Sequence, residues 1–182
     1  NVVRGCRFRS AAHCFAIARN RPASVWVIEV QANLAITYEG LGRPEEAMRM
    51  KWDVYSGYKK LHGKEHGKTL RATNNYAVSL NGLKRFEEAR SLMRETTPVA
   101  RRVLGESNEA TLRARLIYAM ALFDDPGATL DDLREAATTL EDTDRIARRV
   151  FGGAHPLTGG IAVYLRDARA ALRARETTPP PG

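Results

Sequence analysis

The sequence repeats with a period of 42 residues, and this repeat limits the possible folds more than any other feature of the chain. Superimposing residues 24–65 on residues 66–107 without a gap gives nine identical positions, whereas about three would be expected by chance. The clearest shared string is Arg-x-Glu-Glu-Ala, at residues 43–47 and 85–89. A repeat of this length is typical of solenoids, in which each unit buries its apolar face only against its neighbours. We therefore expect a protein that displays a surface rather than one that encloses a reaction centre.

The repeat continues beyond the second unit, with one change of spacing. The string Thr-Leu-Arg-Ala at 69–72 recurs at 111–114, but Ala-Arg-Arg-Val-x-Gly at 100–105 recurs at 147–152, an offset of 47. Five extra residues therefore lie in the third unit, around Asp124–Ala128, and we expect them to protrude. The resulting division is a basic leader or degraded preceding repeat at 1–23, repeat 1 at 24–65, repeat 2 at 66–107, repeat 3 with the insertion at 108–154, a capping helix at 155–176 and a disordered tail at 177–182.

Each unit is predicted to form two antiparallel helices. In the second unit Leu70, Tyr76, Leu80 and other apolar residues follow one another at steps of three and four, which is helical periodicity. A second apolar stripe ends at Gly105, and Pro98 within it predicts a kink or break. The predicted helices lie near residues 25–40, 45–61, 68–82, 86–104, 109–123, 130–151 and 156–175, with no strand.

The net charge of +8 comes mainly from the two ends of the chain. Residues 1–23 carry five arginines and no acid, whereas residues 24–154 carry 20 basic and 19 acidic side chains. A solenoid that binds nucleic acid needs a basic stripe along its repeats, so the composition disfavours nucleic acid as a partner. The alternative of a nucleic-acid-associated protein depends on the terminal arginines, and it requires both ends to lie on one side. These arginines are Arg7, Arg9, Arg19, Arg21, Arg166, Arg169, Arg173 and Arg175.

The cysteine and hydropathy patterns bear on the compartment. The two cysteines, Cys6 and Cys14, both precede the repeats, so the repeat body does not depend on disulfides. Independence from disulfides fits a reducing compartment, and we expect a cytoplasmic protein. No apolar run approaches the roughly 18 residues of a membrane span, so no membrane association is expected. Nothing in the sequence indicates the oligomeric state.

The sequence gives little support for catalysis or for a bound cofactor. His62 and His66 are four residues apart, but the string His-Gly-Lys-Glu-His lacks the glutamate that directly follows the first histidine in zinc proteases. Cys6, His13 and Cys14 have no fourth zinc ligand nearby. Neither a glycine-rich phosphate loop nor a nucleophile elbow is present. We therefore predict no catalytic residues, no metal and no cofactor.

The unit resembles a tetratricopeptide repeat of the 42-residue kind found in kinesin light chains. The matching stretches are Thr69-Leu70, Asn74-Asn75-Tyr76-Ala77, Asn33-Leu34-Ala35, Leu41-Gly42-Arg43-Pro44-Glu45-Glu46-Ala47, Leu83-Lys84-Arg85-Phe86-Glu87-Glu88-Ala89 and Arg102-Val103-Leu104-Gly105. The resemblance covers about residues 24–165 and implies an all-α solenoid of antiparallel helix pairs wound into a right-handed superhelix. It does not extend to kinesin light chain itself, which carries a long heptad coiled coil. Pro44, Ile117 and Arg166 depart from the repeat pattern, and Arg166 suggests that the last helix is a cap.

In the family that the chain resembles, the first helix of each unit lines a concave groove. This resemblance implies a peptide-binding set of Asn33, Arg71, Asn74, Asn75, Val78, Arg113 and Met120. Asparagine amides can pair with the main chain of an extended peptide, and arginines can hold carboxylates bidentately. We therefore expect a non-catalytic protein-interaction module that binds an extended, mildly acidic peptide. Two alternatives stay open: Asn33 and Asn75 hold neighbouring helices together, or the chain is an inert fragment of a larger scaffold.

Overall fold

The computed structural model describes residues 23–177, with side chains from residue 25, and this part of the chain is helical throughout, without a β-strand. The helices are α1 (Ala23–Gly40), α2 (Pro44–His62), α3 (Gly67–Gly82), α4 (Phe86–Leu104), α5 (Glu109–Phe123), α6 (Leu130–Phe151) and α7 (Pro156–Thr177). Each predicted helix end lies within two residues of the observed end. The predictions for the 1–23 segment and the 177–182 tail fall almost entirely outside the described residues.

The helices pack as a solenoid. Each helix contacts the next one in the chain, and in addition α3 contacts α5 and α5 contacts α7. The first helices of the second, third and fourth units therefore lie side by side, and the chain is the predicted all-α array of helix pairs. Small buried residues let the helices approach closely, and these are Ala35, Ala47, Ala77, Ala89, Ala119 and Ala136.

The same local chemistry ends and begins helices in every unit. Gly63, Gly105 and Gly152 follow α2, α4 and α6 with φ of 82°, 88° and 80°, a backbone region that side chains other than glycine's rarely adopt. At the other end, the Asn108 side chain accepts a hydrogen bond from the Ala110 amide at 2.9 Å, which caps α5.

Two histidines replace asparagine as helix caps. Nδ1 of His66 accepts from the Lys68 amide, and Nδ1 of His155 accepts from the Leu157 amide, each at 3.2 Å. Both residues occupy the position of Asn108 in their units, so the repeat register contains this signal. His66 was considered above only as part of a possible zinc-protease motif.

The turns inside the first two units are held by matching ion pairs. Arg43 Nη2 lies 2.6 Å from Glu46 Oε1, and Arg85 Nε lies 2.6 Å from Glu88 Oε1. Both pairs join a turn residue to the first turn of the following helix, and both lie in the repeated Arg-x-Glu-Glu-Ala string. The pairs are exposed, so they stabilise the turn only weakly.

Pro98 does not break α4. The helix is continuous from Phe86 to Leu104, so the part of the prediction that allowed a break is wrong. Pro98 is exposed, and proline in a helix deprives one carbonyl of its partner. Because this stretch of the helix faces solvent, water can hydrate that carbonyl.

Only part of the inserted segment is exposed: Asp124, Pro126 and Gly127 are exposed, whereas Asp125 and Ala128 are held in the array. Ala128 is only 4% exposed, and Asp125 Oδ2 lies 3.5 Å from Arg90 Nη2 on α4. Arg90 also reaches Asp132, at 3.2 Å, in the first turn of α6. The insertion is therefore held against α4 through one half-buried arginine, Arg90. The repeat could not predict this contact, because the residue 42 positions before Arg90 is Met48.

A double hydrogen bond fixes the start of α6 beside this arginine. The Asp132 amide donates to the Thr129 hydroxyl at 3.1 Å, while the Thr129 amide donates to the Asp132 carboxylate at 2.9 Å, which together form a capping box. The Thr129 hydroxyl also donates to Asp132 Oδ2 at 2.7 Å. The hydrogen bonds that the Thr129 hydroxyl and amide donate, and to a smaller extent the charge of Arg90, hold the pKa of the Asp132 carboxyl below its ordinary value.

Replacing Arg90 with methionine, the residue found one repeat earlier, tests how firmly the insertion is held. The change removes the contacts to Asp125 and Asp132, and we expect it to lower the free energy of unfolding by about 1–2 kcal/mol. Urea denaturation measures the loss. The matched control is Arg134→Met, which removes an exposed pair with Asp131 and should cost less than about 0.5 kcal/mol. Equal stability of both variants would show that the Arg90 contacts contribute nothing.

The capping box gives a pH-dependent prediction. At pH 7, Asp132→Ala should lower the free energy of unfolding by about 1 kcal/mol, because α6 loses half of its cap. The folded state lowers the pKa of Asp132, so the stabilisation is complete above the ordinary aspartate pKa of about 3.9 and is lost as the pH falls through the lower folded value. Urea titrations of both proteins between pH 7 and pH 2 should therefore converge at the acid end. A gap that persists at pH 2 would contradict the role of the ionised carboxylate.

Candidate functional site

An open hollow of about 280 Å³ lies between α3 and α5, the first helices of the second and third units. We call it the arginine hollow, and it is lined by Arg71, Asn74, Asn75, Glu109, Ala110 and Arg113. Four of these residues belong to the predicted peptide-binding set. Neighbouring first helices therefore form a common surface here, as the resemblance implied.

Two arginines face the hollow from successive units. Arg71 and Arg113 occupy the same position, 42 residues apart, and both are exposed. Arg113 Nη2 lies 3.5 Å from Glu109 Oε1, four residues earlier on the same helix, and such exposed pairs are weak. Within residues 25–177 no ion pair of Arg71 is found. The hollow thus presents two guanidinium groups to solvent, and one of them has no acidic competitor in the described part of the chain.

Asn75 and Val78 continue the surface along α3. Together with Arg71 they are spaced at i, i+4 and i+7, so they lie on one face of the helix. Asn75 is exposed and Val78 is partly exposed. On α5, Met120 occupies the position of Val78, but it is half-buried and packs against the core between α5 and α6. Met120 thus contributes part of its side chain to packing.

Asn74 has a different environment from its neighbour Asn75. It is 2% exposed, and its Nδ2 donates to the Ala110 carbonyl on α5 at 2.8 Å. Asn81, seven residues later on the same helix, likewise donates to the Ile117 carbonyl at 3.1 Å. We call these two contacts the amide bridges. Because the Asn74 amide nitrogen is engaged inside the array, we leave Asn74 out of the proposed peptide contacts.

Asn33 lies apart from the arginine hollow. It is exposed on α1, and α1 does not contact α3 within the described residues. The structure therefore brings Arg71, Asn75 and Arg113 together but leaves Asn33 at the first unit. Asn33 and Asn75 were considered as residues that hold neighbouring helices together. In the structure, Asn74 and Asn81 have this role instead. The signal for it was present in the sequence, since residues 74 and 81 are two helical turns apart on one face.

Sequence reasoning missed an apolar hollow of about 450 Å³ between α2 and α3. Its wall contains the ring of Trp52, whose centroid lies 5.2 Å from that of Tyr76. The Tyr76 ring in turn stacks on Tyr55, and burial raises the pKa of the Tyr76 hydroxyl. Met48, Met50 and two charged residues, Arg49 and Asp53, complete the lining.

The described residues contain no candidate metal site. Among residues 23–177 no group of three or more histidine, cysteine or acidic side chains could hold a metal ion. The His62 and His66 rings stack with centroids 4.3 Å apart, and His66 caps α3. In the same part of the chain, every helix is too short or too polar to cross a membrane.

The nucleic-acid alternative can be followed only at the C-terminal end. Arg166 pairs with Asp167 at 2.8 Å, and Arg169 pairs with Glu141 at 2.7 Å. These contacts reduce the positive charge that the last helix offers a phosphate backbone. The N-terminal arginines lie outside the described residues, so the structure does not describe where the two ends lie relative to each other.

The amide bridges predict which asparagines are structural. Asn74→Ala and Asn81→Ala should each lower the free energy of unfolding by about 1–2 kcal/mol, because each removes a buried hydrogen bond between units. Asn75→Ala, on the exposed face of the same helix, should change it by less than about 0.5 kcal/mol. Thermal and urea denaturation followed by circular dichroism measures all three. A larger loss for Asn75→Ala than for Asn74→Ala would reverse the assignment.

Comparisons with known proteins agree with the repeats and the fold. The tetratricopeptide repeat family matches residues 27–67 and 69–109, and a search of curated proteins finds no match. One similar solved structure is BtubC (BKLC) from P. vanneervenii, with a TM-score of 0.63 and 16% identity over 90% of this chain and 69% of that chain. Another is a kinesin-light-chain-type protein of Podosopora anserina with nearly identical TPR-like repeats, with a TM-score of 0.58 and 18% identity over 92% and 86%. Residues 27–109 therefore contain two tetratricopeptide repeats, and the fold of the chain is similar to that of kinesin-light-chain-type repeat proteins.

Proposed function

We propose that the protein is a non-catalytic interaction module that binds an extended, mildly acidic peptide across the arginine hollow. Tetratricopeptide repeats generally mediate protein–protein interactions, and the finer proposal depends on one observation. Arg71 and Arg113 are exposed one repeat apart, on either side of a hollow that also contains the exposed amide of Asn75.

Each residue has a separate part in the proposed complex. Arg71 holds a peptide carboxylate through a charge-assisted hydrogen bond, which is about twice as strong as a neutral one. The Asn75 amide offers both a donor and an acceptor to the peptide main chain. Val78 extends this face with an apolar contact. Arg113 takes a second carboxylate once that group displaces Glu109, which lies 3.5 Å away in the unbound protein.

The geometry of the array limits the peptide. The axes of packed helices lie about 8–10 Å apart, whereas an extended chain advances about 3.3 Å per residue. Two acidic side chains that reach Arg71 and Arg113 together are therefore two or three residues apart. Because Glu109 stands beside Arg113, the Arg71 site is the stronger of the two.

The remaining parts of the proposal concern the partner and its location. The partner is a protein that presents such a segment, and the cytoplasm is the proposed compartment because the repeats contain no cysteine. The nearly balanced charge of residues 24–154 means that local pairing, rather than bulk attraction, decides affinity.

A peptide selection tests this function. Phage-displayed random peptides selected on the full chain should be enriched in acidic residues spaced two or three apart. Arg71→Ala and Arg113→Ala should each weaken the selected peptides roughly ten- to hundredfold, because a charge-assisted contact contributes about 1.5–3 kcal/mol. Asn75→Ala should weaken them less, since its hydrogen bonds are neutral. Isothermal calorimetry measures the affinities.

The matched control is Arg101→Ala, which removes an exposed arginine from α4, outside the hollow. It should leave the affinity unchanged. Selected peptides that bind the Arg71 and Arg113 variants as tightly as the wild type would refute the arginine hollow as the binding site. Circular dichroism of each variant shows that a lost affinity does not come from unfolding.

A further inference from the structure

Arg71 and Arg113 share one hollow, although they belong to different units. Both line the arginine hollow between α3 and α5, and both are exposed. Its volume of about 280 Å³ is below the roughly 300–1,000 Å³ of pockets that enclose a drug-sized molecule. The hollow therefore suits a single compact group, and two guanidinium groups line it.

The arginines at this repeat position are confined to the hollow. The residues at the position of Arg71 and Arg113 in the first and fourth units are Glu29 on α1 and Gly160 on α7, the latter at an offset of 47 residues. The described first helices therefore place arginine at this position only where α3 meets α5. A row of cations along the units would suit an extended polyanion. A single pair suits one group that carries more than one negative charge.

The donors around the hollow match a phosphate group. Each guanidinium offers five N–H donors in a planar fork, which can hold a phosphate bidentately. The Asn75 amide, four residues after Arg71 on α3, also lines the hollow and adds further N–H donors. A phosphate on a serine or threonine carries a charge of about −1.5 to −2 at pH 7 and three acceptor oxygens. One such group has enough charge and enough acceptors for both arginines.

Glu109 makes the hollow discriminate between ligands by their charge. Among the described residues that line the hollow it is the only acid, and its Oε1 lies 3.5 Å from Arg113 Nη2. The lining thus has two guanidinium groups and one carboxylate, a net charge of +1. Because the Coulomb energy is proportional to the charge of the ligand, a dianion gains about twice as much from this field as a single carboxylate does.

We propose that the arginine hollow recognises a phosphorylated serine or threonine in the peptide segment of the partner. This recognition rests on the proposed function, because it concerns the same hollow and the same class of partner. Arg71 and Arg113 hold the phosphate from two neighbouring helices, so one phosphate takes the place of two carboxylates. Phosphorylation of the partner then raises its affinity, and the complex is regulated on the partner's side.

Four synthetic peptide pools test phosphate recognition on the full chain. Three pools have phosphoserine, aspartate or serine at a central position and only neutral residues around it. The fourth has two aspartates three positions apart, as the proposed function requires. Fluorescence anisotropy of labelled peptides should give the phosphoserine pool an affinity about tenfold higher than that of the single-aspartate pool. The serine pool should bind more weakly than either.

Variants of the lining connect this preference to the hollow. Arg71→Ala and Arg113→Ala should each weaken the phosphoserine pool roughly ten- to hundredfold. Arg101→Ala, on α4 and outside the hollow, is the matched control and should leave the affinity unchanged. Glu109→Gln removes the lining acid and should strengthen the phosphoserine pool more than the single-aspartate pool. Circular dichroism shows whether each variant is folded.

The outcomes separate phosphate recognition from the proposed function. Tighter binding of the two-aspartate pool than of the phosphoserine pool, with loss in both arginine variants, would overturn phosphate recognition and leave the acidic peptide in place. A phosphoserine affinity that depends on only one arginine would also overturn it, because the phosphate is then not shared. If no pool depends on Arg71 or Arg113, both proposals fail. Inorganic phosphate that displaces the phosphoserine pool at equal concentration would show a site for a free anion only, and would likewise overturn it.

Discussion

Every part of this molecule depends on one constraint: a helix pair in the array can bury its apolar faces only against the pairs beside it. The small residues Ala77 and Ala119 are completely buried for this reason, since they let neighbouring backbones approach. The amide bridges from Asn74 and Asn81 then fix how far one first helix slides along the next. The position of each side chain on the exposed face follows from these contacts, because α3 and α5 are held in register.

On α3, two residues that are adjacent in the sequence have different roles, one in packing between helices and one on the exposed surface. Asn74 points into the contact with α5, while Asn75 is exposed beside Arg71. Rigid support beneath an exposed polar surface lowers the entropy that a binding site loses when it meets its ligand. A groove built in this way presents Arg71 and Arg113 at a separation that the array sets, and a flexible loop could not keep that separation.

The helix bounds could be predicted because local signals mark them: glycines with positive φ end the helices, and an asparagine or a capping box begins them. The repeat also identified the two arginines of the hollow. It could not separate Asn74 from Asn75, because neighbouring residues on a helix differ by 100° in direction and the facing carbonyl of Ala110 is 36 residues away. The repeat also could not predict how the insertion is held. Arg90 has no counterpart in the first unit, and its acidic partners lie in the third unit.

The exposed arginines of α7 have a consequence for how copies of the protein meet. Solenoids with two apolar ends can stack head to tail, and such heterologous contacts do not close, so they grow into fibres. A copy that packs an apolar surface on this face of α7 would have to bury the ion pairs of Arg166 with Asp167 and of Arg169 with Glu141, and taking such charges out of water is costly. Packing of another copy on this face of α7 is therefore disfavoured.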